Sequence, residues 1–292
     1  MKKLLLLSIL FCAVLLQSCE DPVADEYTPV NVVTGCLIVG DTIKGITVLK
    51  SQPITTKYDS TKSWIQDAQV SVTVNGNTIP LAFRIVNNNG EFFDPTGTLV
   101  QTKTTYKLSV KLKDGTTMTG ETTTPDTLAW VLPPKPIMHF PSGADSIKLP
   151  SVDSLKLRWR SNDVGRYEYW ISIKTLDTLE YGKYLTPATD EKNRRWGKNP
   201  YQFDQYQGET MQWGYLVFTE VPVVWAAFKW YGKQELKVWS MDKNMNEWSK
   251  LMQFSGSPKT YDNNQGSIKG GYGYFGSAYV IRGESFIIKN QP

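Results

Sequence analysis

Histidine is almost missing: the 292 residues contain one, His139. Ser-His-Asp or Cys-His catalysis would have to hang on that single side chain, and a zinc site would need Asp, Glu or Cys ligands instead. His139 follows Pro133-Pro134-Lys135-Pro136, a poor setting for either. Cysteine is nearly as scarce, at positions 12, 19 and 36. If the first leaves with a leader and the second carries lipid, Cys36 is alone and no intramolecular disulfide can form. Cys36 lies in the strand-like Gly35-Cys36-Leu37-Ile38-Val39, which suits a buried, inert thiol. Charge of one sign is lacking too. Lys plus Arg number 32 against 28 for Asp plus Glu, and removing residues 1–18 deletes two Lys and no acid, taking the net charge from +4 to +2. That balance excludes nucleic acid as a partner on charge. After Cys19 no apolar run approaches the length of a transmembrane helix, and no cofactor motif holds up.

What is there begins at the N-terminus, MKKLLLLSILFCAVLLQSCEDPVADE. Lys2 and Lys3 precede an apolar run from Leu4 to Leu16, a secretory h-region too short to span a bilayer comfortably. Leu16-Gln17-Ser18-Cys19 closes it and resembles the lipobox of bacterial lipoproteins. The resemblance implies that Cys19 is acylated and anchored in membrane lipid, with residues 1–18 removed. The acidic residues that follow are similar to the surface-export signal of Bacteroidota lipoproteins, which implies an outer-membrane, surface-exposed location.

The rest reads as all-β. An acidic tether, residues 19–29, leads to a first domain over 30–125. Val70, Val72 and Val74 alternate up to Asn75-Gly76, a type I′ hairpin signal. Tyr106, Leu108 and Val110 alternate with Lys107, Ser109 and Lys111 before the turn at Asp114-Gly115. Strands at this spacing predict a β-sandwich, and the run Asp67-Ala68-x-Val70-x-Val72, Gly90-Glu91-Phe92 and Tyr106-x-Leu108-x-Val110 resembles immunoglobulin-like and carboxypeptidase-regulatory-like modules. Prolines 125, 133, 134, 136 and 141 mark residues 126–141 as an extended linker. In the second domain, 142–292, Leu155, Leu157 and Trp159 alternate with Lys156, Arg158 and Arg160, and a Tyr-rich strand follows. The pattern resembles a fibronectin type III domain carrying an aromatic insert at 179–231 and a Gly/aromatic tail.

Taken together, the lipobox, the first sandwich with Ile65-Gln66-Asp67-Ala68-Gln69-Val70, the fibronectin-like half and Gly270-Gly271-Tyr272-Gly273-Tyr274-Phe275-Gly276 resemble one family. It is the group of Bacteroidota outer-membrane lipoproteins known only as a domain of unknown function, number 4249. The resemblance implies an envelope location, often beside TonB-dependent receptors. It implies no activity and carries no catalytic residue with it.

Three local patterns invite chemistry. Gly271-Tyr272-Gly273-Tyr274-Phe275-Gly276 fits G-x-G-x-x-G, but only 16 residues remain after Gly276, without the helix and acid that a dinucleotide needs. A Gly turn with its aromatics on the second domain is the better reading. Asp242-Lys243-Asn244-Met245-Asn246 opens like a calcium loop, but Glu247 replaces the essential Gly and Gln253 the last Glu. A polar hairpin turn is expected there. Val223 to Tyr231 lacks two-residue alternation, so one face cannot bury every ring. Trp196, Trp213, Trp225, Trp230 and Tyr231 are therefore the candidate recognition surface. The expected role is a non-catalytic binding or assembly component at the outer membrane, with a TonB-dependent receptor as partner. A glycan-binding lipoprotein of an uptake system is the second reading, and a glycoside hydrolase using two carboxylates the third.

Overall fold

The computed structural model describes residues 27–53, 55–140, 155–163, 168–176, 187–188, 209–216, 218–228, 231–254 and 266–289. They form an all-β protein of three sheets. A five-stranded sheet runs in the order β5 (Asn89–Phe93), β4 (Asn77–Val86), β3 (Gln69–Val74), β6 (Thr105–Lys111) and β7 (Thr117–Thr123). A three-stranded sheet orders β13 (Glu220–Pro222), β10 (Lys156–Ser161) and β8 (Leu128–Leu132). The largest sheet orders β12 (Glu209–Leu216), β11 (Tyr169–Thr175), β14 (Gly232–Met241), β15 (Tyr272–Lys289), β1 (Asn31–Ile38) and β2 (Thr47–Lys50), with β9 (Ile137–Phe140) also paired to β15.

Local sequence explains the hairpins. β6 and β7 alternate exposed and buried residues without exception. Asn75 and Gly76 both take positive φ, +49° and +80°, the paired values that a type I′ turn requires. Asn87 and Asn88 do the same between β4 and β5, at +50° and +61°. β11 departs from alternation, because both of its faces are covered. Ile171 and Ile173 enter a core, while on the opposite face the indole N–H groups of Trp170 and Trp239 donate to Asn246 Oδ1 (2.8 Å) and Ser172 Oγ (2.7 Å).

Two sandwiches result. The first core packs Val70, Val72, Tyr106, Leu108 and Met118 of the five-stranded sheet against Val33, Leu37, Val48 and Phe275 of the large one. The second packs Leu128, Leu157, Trp159 and Val221 of the small sheet against Ile171, Ile173, Leu236, Val238 and Ile287. Each such side chain contributes about 1.5–3 kcal/mol by leaving water.

Both sandwiches share β15. Its first part pairs in parallel with β1, from Val32 opposite Tyr272 to Ile38 opposite Ala278. Its later part pairs antiparallel with β14, from Ala278 to Ile287, and its end pairs in parallel with β9. Between the β1 and β9 pairings, the Trp130 indole N–H donates to the Arg282 carbonyl at 2.9 Å.

Three expectations change here. Residues 126–141 hold two strands, β8 and β9, that complete the second sandwich, because Pro133, Pro134 and Pro136 all fall between them. His139 lies on β9, exposed, opposite Ile288. The tail is strand from Tyr272 onward and enters the first core through Phe275, so the division at residue 142 is crossed by the last strand. The Asn-rich stretch after β14 is helical: α2 (Lys243–Phe254), the partner in regularity of the one-turn α1 (Ser60–Ser63).

Candidate functional site

The seam between the sandwiches is built from β7, β15 and the start of α2. Asp242, 4% exposed, caps that helix. Its Oδ1 accepts from the Met245 N–H at 2.9 Å and from the Ser277 N–H at 3.0 Å. Its Oδ2 accepts from the Thr122 hydroxyl at 2.7 Å, and the Thr122 and Ser277 hydroxyls are themselves 2.7 Å apart. A buried carboxylate is tolerable only when its lone pairs are met this way. Asn244 adds a second clamp, its amide donating to the carbonyls of Glu121 (2.7 Å) and Phe275 (2.9 Å).

Close approach is what the glycines here provide. A Cβ on Gly276 would stand 2.9 Å from both Asp242 Oδ1 and Met245 Cβ. Gly273 takes φ +106° against the backbone of Val33, a conformation that favours glycine. The G-x-G-x-x-G spacing thus serves strand-to-strand and helix-to-strand contact. Nearby, the Tyr274 ring lies 4.9 Å from that of Trp248. Burial, with a smaller push from the Asp242 charge, raises the Cys36 thiol to about 12. Burial, with Cys36 second, raises the Tyr274 hydroxyl to about 12.

Beside these clamps lies a groove of about 860 Å³, walled by Lys107, Ser109, Thr119, Glu121, Asn244 and Lys269 among others. A second hollow of about 420 Å³ shares Glu121 and Asn244 and runs on to Thr123 and Asp163. The walls offer hydroxyls, ammonium groups and a carboxylate, a lining that suits a polar ligand held by hydrogen bonds. Lys107 and Glu121 face each other at 3.5 Å. Among the described residues, no three His, Cys, Asp or Glu side chains cluster as metal ligands would.

The sequence profile of DUF4249, a domain of unknown function, matches residues 20–282. The chain belongs to that family. Curated proteins yield no match. A solved structure of the protocadherin gammaB7 EC3-6 cis-dimer aligns with 90% of this chain and 50% of that one, at 12% identity and a TM-score of 0.18. The chain spans about half the length of that structure, and a likeness at this score says nothing of function.

The DUF4249 match covers every element from β1 to β14 and the seam glycines. The aromatic residues expected as a recognition surface fare differently. Trp225 is 4% exposed and packs in the second core, 5.5 Å from the Phe140 ring and 6.1 Å from Phe228. Tyr231 is half-buried, 5.5 Å from the same Phe140 ring. A 3-10 turn over Trp225–Ala227 explains the missing alternation. It rotates the chain so that Val223, Trp225, Ala227 and Phe228 all reach one core. Trp225 is therefore core, not recognition surface. Trp213 falls on β12, where the backbone alone is described; Trp196, Trp230 and Cys19 lie outside the described residues. The seam groove escaped the sequence reading because its walls come from β6, β7, Asn244 and residues 266–270, over a hundred positions apart. The readable signal was Asp242 as a helix cap ahead of Met245 and Trp248 at helical spacing.

Proposed function

We propose that the protein is a non-catalytic binding or assembly component of the outer membrane, held there by lipid on Cys19 and exposed at the cell surface. The carrying observation is Leu16-Gln17-Ser18-Cys19 directly after a basic start and an apolar run. Acylation at one Cys supplies several chains, enough for stable anchoring. From Cys19 to Asn31 is twelve residues, a reach of at most about 40 Å. The body would therefore work within a short distance of the bilayer, beside a membrane-embedded partner such as a TonB-dependent receptor. The two sandwiches joined through β15 suit it to present a fixed surface.

A second reading, glycan binding, draws support from the hydroxyl-rich seam groove. Cys19→Ala tests the first. The variant is expected to leave the membrane fraction, to lose labelling by a palmitate analogue, and to lose any receptor that copurifies with the anchored protein. Continued sedimentation with membranes and continued labelling would overturn the anchoring.

A further inference from the structure

The wet face of the five-stranded sheet carries hydrogen-bonding groups that the fold leaves without partners. β6 and β7 alternate strictly, so Lys107, Ser109, Thr119 and Glu121 stand outward. Ser109 and Thr119 are direct cross-strand partners, which sets their Cβ atoms about 4.5–5.5 Å apart. Neither hydroxyl bonds another described residue. Beside them, Lys269 and Thr119 exchange two backbone hydrogen bonds, of 2.8 and 3.0 Å. The Lys269 ammonium is exposed and meets no carboxylate among the described residues. All these groups wall the groove of about 860 Å³, a volume within the roughly 300–1,000 Å³ of small-ligand sites.

Asn244 is the one group there whose orientation is fixed in advance. Its amide nitrogen donates to the Glu121 carbonyl of β7 and to the Phe275 carbonyl of β15, which engages both of its hydrogens. Its Oδ1 accepts from no described residue. Asn244 lines the main groove, the hollow of about 420 Å³ that runs to Thr123, and a third hollow of about 160 Å³ reaching Trp248. An acceptor held still before a ligand arrives adds no ordering cost to binding. The half-buried Trp248 ring, backed by Tyr274, brings apolar surface to the third hollow.

What these groups require decides the occupant. Leu108 and Ile268 border the main groove, but both are buried in the first core, so an apolar ligand finds little to cover. Charge is nearly balanced: Lys107 and Lys269 stand against Glu121, and Lys107 already faces Glu121 at 3.5 Å. That leaves no strong field for an anion. Donors and acceptors are mixed along the walls, so a ligand must offer many neutral groups that both donate and accept. Sugar hydroxyls do this. We infer that the groove binds a neutral oligosaccharide. One ring meets the Ser109 and Thr119 hydroxyls, a neighbouring hydroxyl donates to Asn244 Oδ1, and the chain continues toward Trp248. This rests on the glycan-binding reading and adds to it the sugar class and the residues that hold it.

Titration calorimetry tests this with residues 20–292 made without lipid, so that the outcome does not depend on Cys19. The probes are maltohexaose, cellohexaose and xylohexaose, with hexagalacturonate and hexaalanine for comparison. At least one neutral sugar is expected to bind, one per chain, and more tightly than either comparison probe. Ser109→Ala with Thr119→Val changes two exposed positions and should weaken that binding about tenfold with the melting temperature unchanged. Asn244→Ala should weaken it further and also lower the melting temperature, because two seam carbonyls lose their donor. Arg160→Gln, exposed on β10, should change nothing. If no sugar binds, this inference and the glycan-binding reading fall together. Tighter binding of hexagalacturonate or hexaalanine overturns the neutral-sugar assignment. Neutral-sugar binding left unchanged by the Ser109 and Thr119 substitutions overturns the site alone and leaves glycan binding to another surface.

Discussion

Cys36 shows how far one residue's neighbours set its chemistry. It sits on β1, beside the cluster of Trp170, Met241 and Ala278. Burial first, and the Asp242 charge second, disfavour its thiolate and move the thiol from 9.0 up to about 12. A group raised on folding stabilises the folded state fully below its unfolded value and loses that contribution as pH climbs toward the folded one. Stability should therefore decline above pH 9, before Tyr274 begins to add the same effect. Near pH 10 the thiol's share is about 1 kcal/mol. Urea midpoints of the native chain and of Cys36→Ala, compared at pH 8 and pH 10, check this: the variant should lose less between the two. Equal losses would mean that the thiol is not held neutral. Cys36 is only half-buried, so its raised pKa rather than enclosure should slow its reaction with thiol reagents.

The elements that departed from expectation share a cause. Period-two alternation marks a strand with one wet face, so β3, β6 and β10 were readable at once. It cannot describe β11, covered on both faces, nor the 3-10 turn at Trp225–Ala227, which turns successive rings into a single core. The core position gives a measurable expectation. Trp225→Ala should lower unfolding free energy by about 3–5 kcal/mol, seen as a large fall in melting temperature. An unchanged melt would return this ring to the surface. The helix α2 went unseen for another reason. Its signal is one cap and a short run, and an Asn-rich stretch after a strand is locally as good a turn. Only the Asp242 contacts to Thr122 and Ser277, made across the seam, decide for the helix.

At the scale of the molecule, the last strand completes the first. β1 is the earliest strand described, yet its parallel neighbour begins at Tyr272. Phe275 is wholly buried in one core and Ile287 in the other. A chain ending at Gly271 loses both side chains, the β1 and β14 pairings to β15, and two donors to Asp242 and its partner Thr122. Neither sandwich should then fold. Circular dichroism is expected to show no cooperative melt, and hydrogen exchange no protected amides in β1 or β14. Native protection persisting in β3, β6 and β7 of the shortened chain would show that the first sandwich stands alone.

The sequence by itself determined the all-β class, the I′ turn at Asn75-Gly76, the alternating strands and the DUF4249 resemblance, because each depends on neighbours a few residues apart. The tertiary structure alone decided that the glycine-rich tail is shared by both sandwiches, that Trp225 is core, and that a polar groove opens at Glu121 and Asn244. Those outcomes rest on contacts between residues far apart in the chain, such as Phe140 with Trp225 and Thr122 with Ser277, whose strength comes from excluding water and pairing buried polar groups. No local pattern of residues encodes which distant partner will do that.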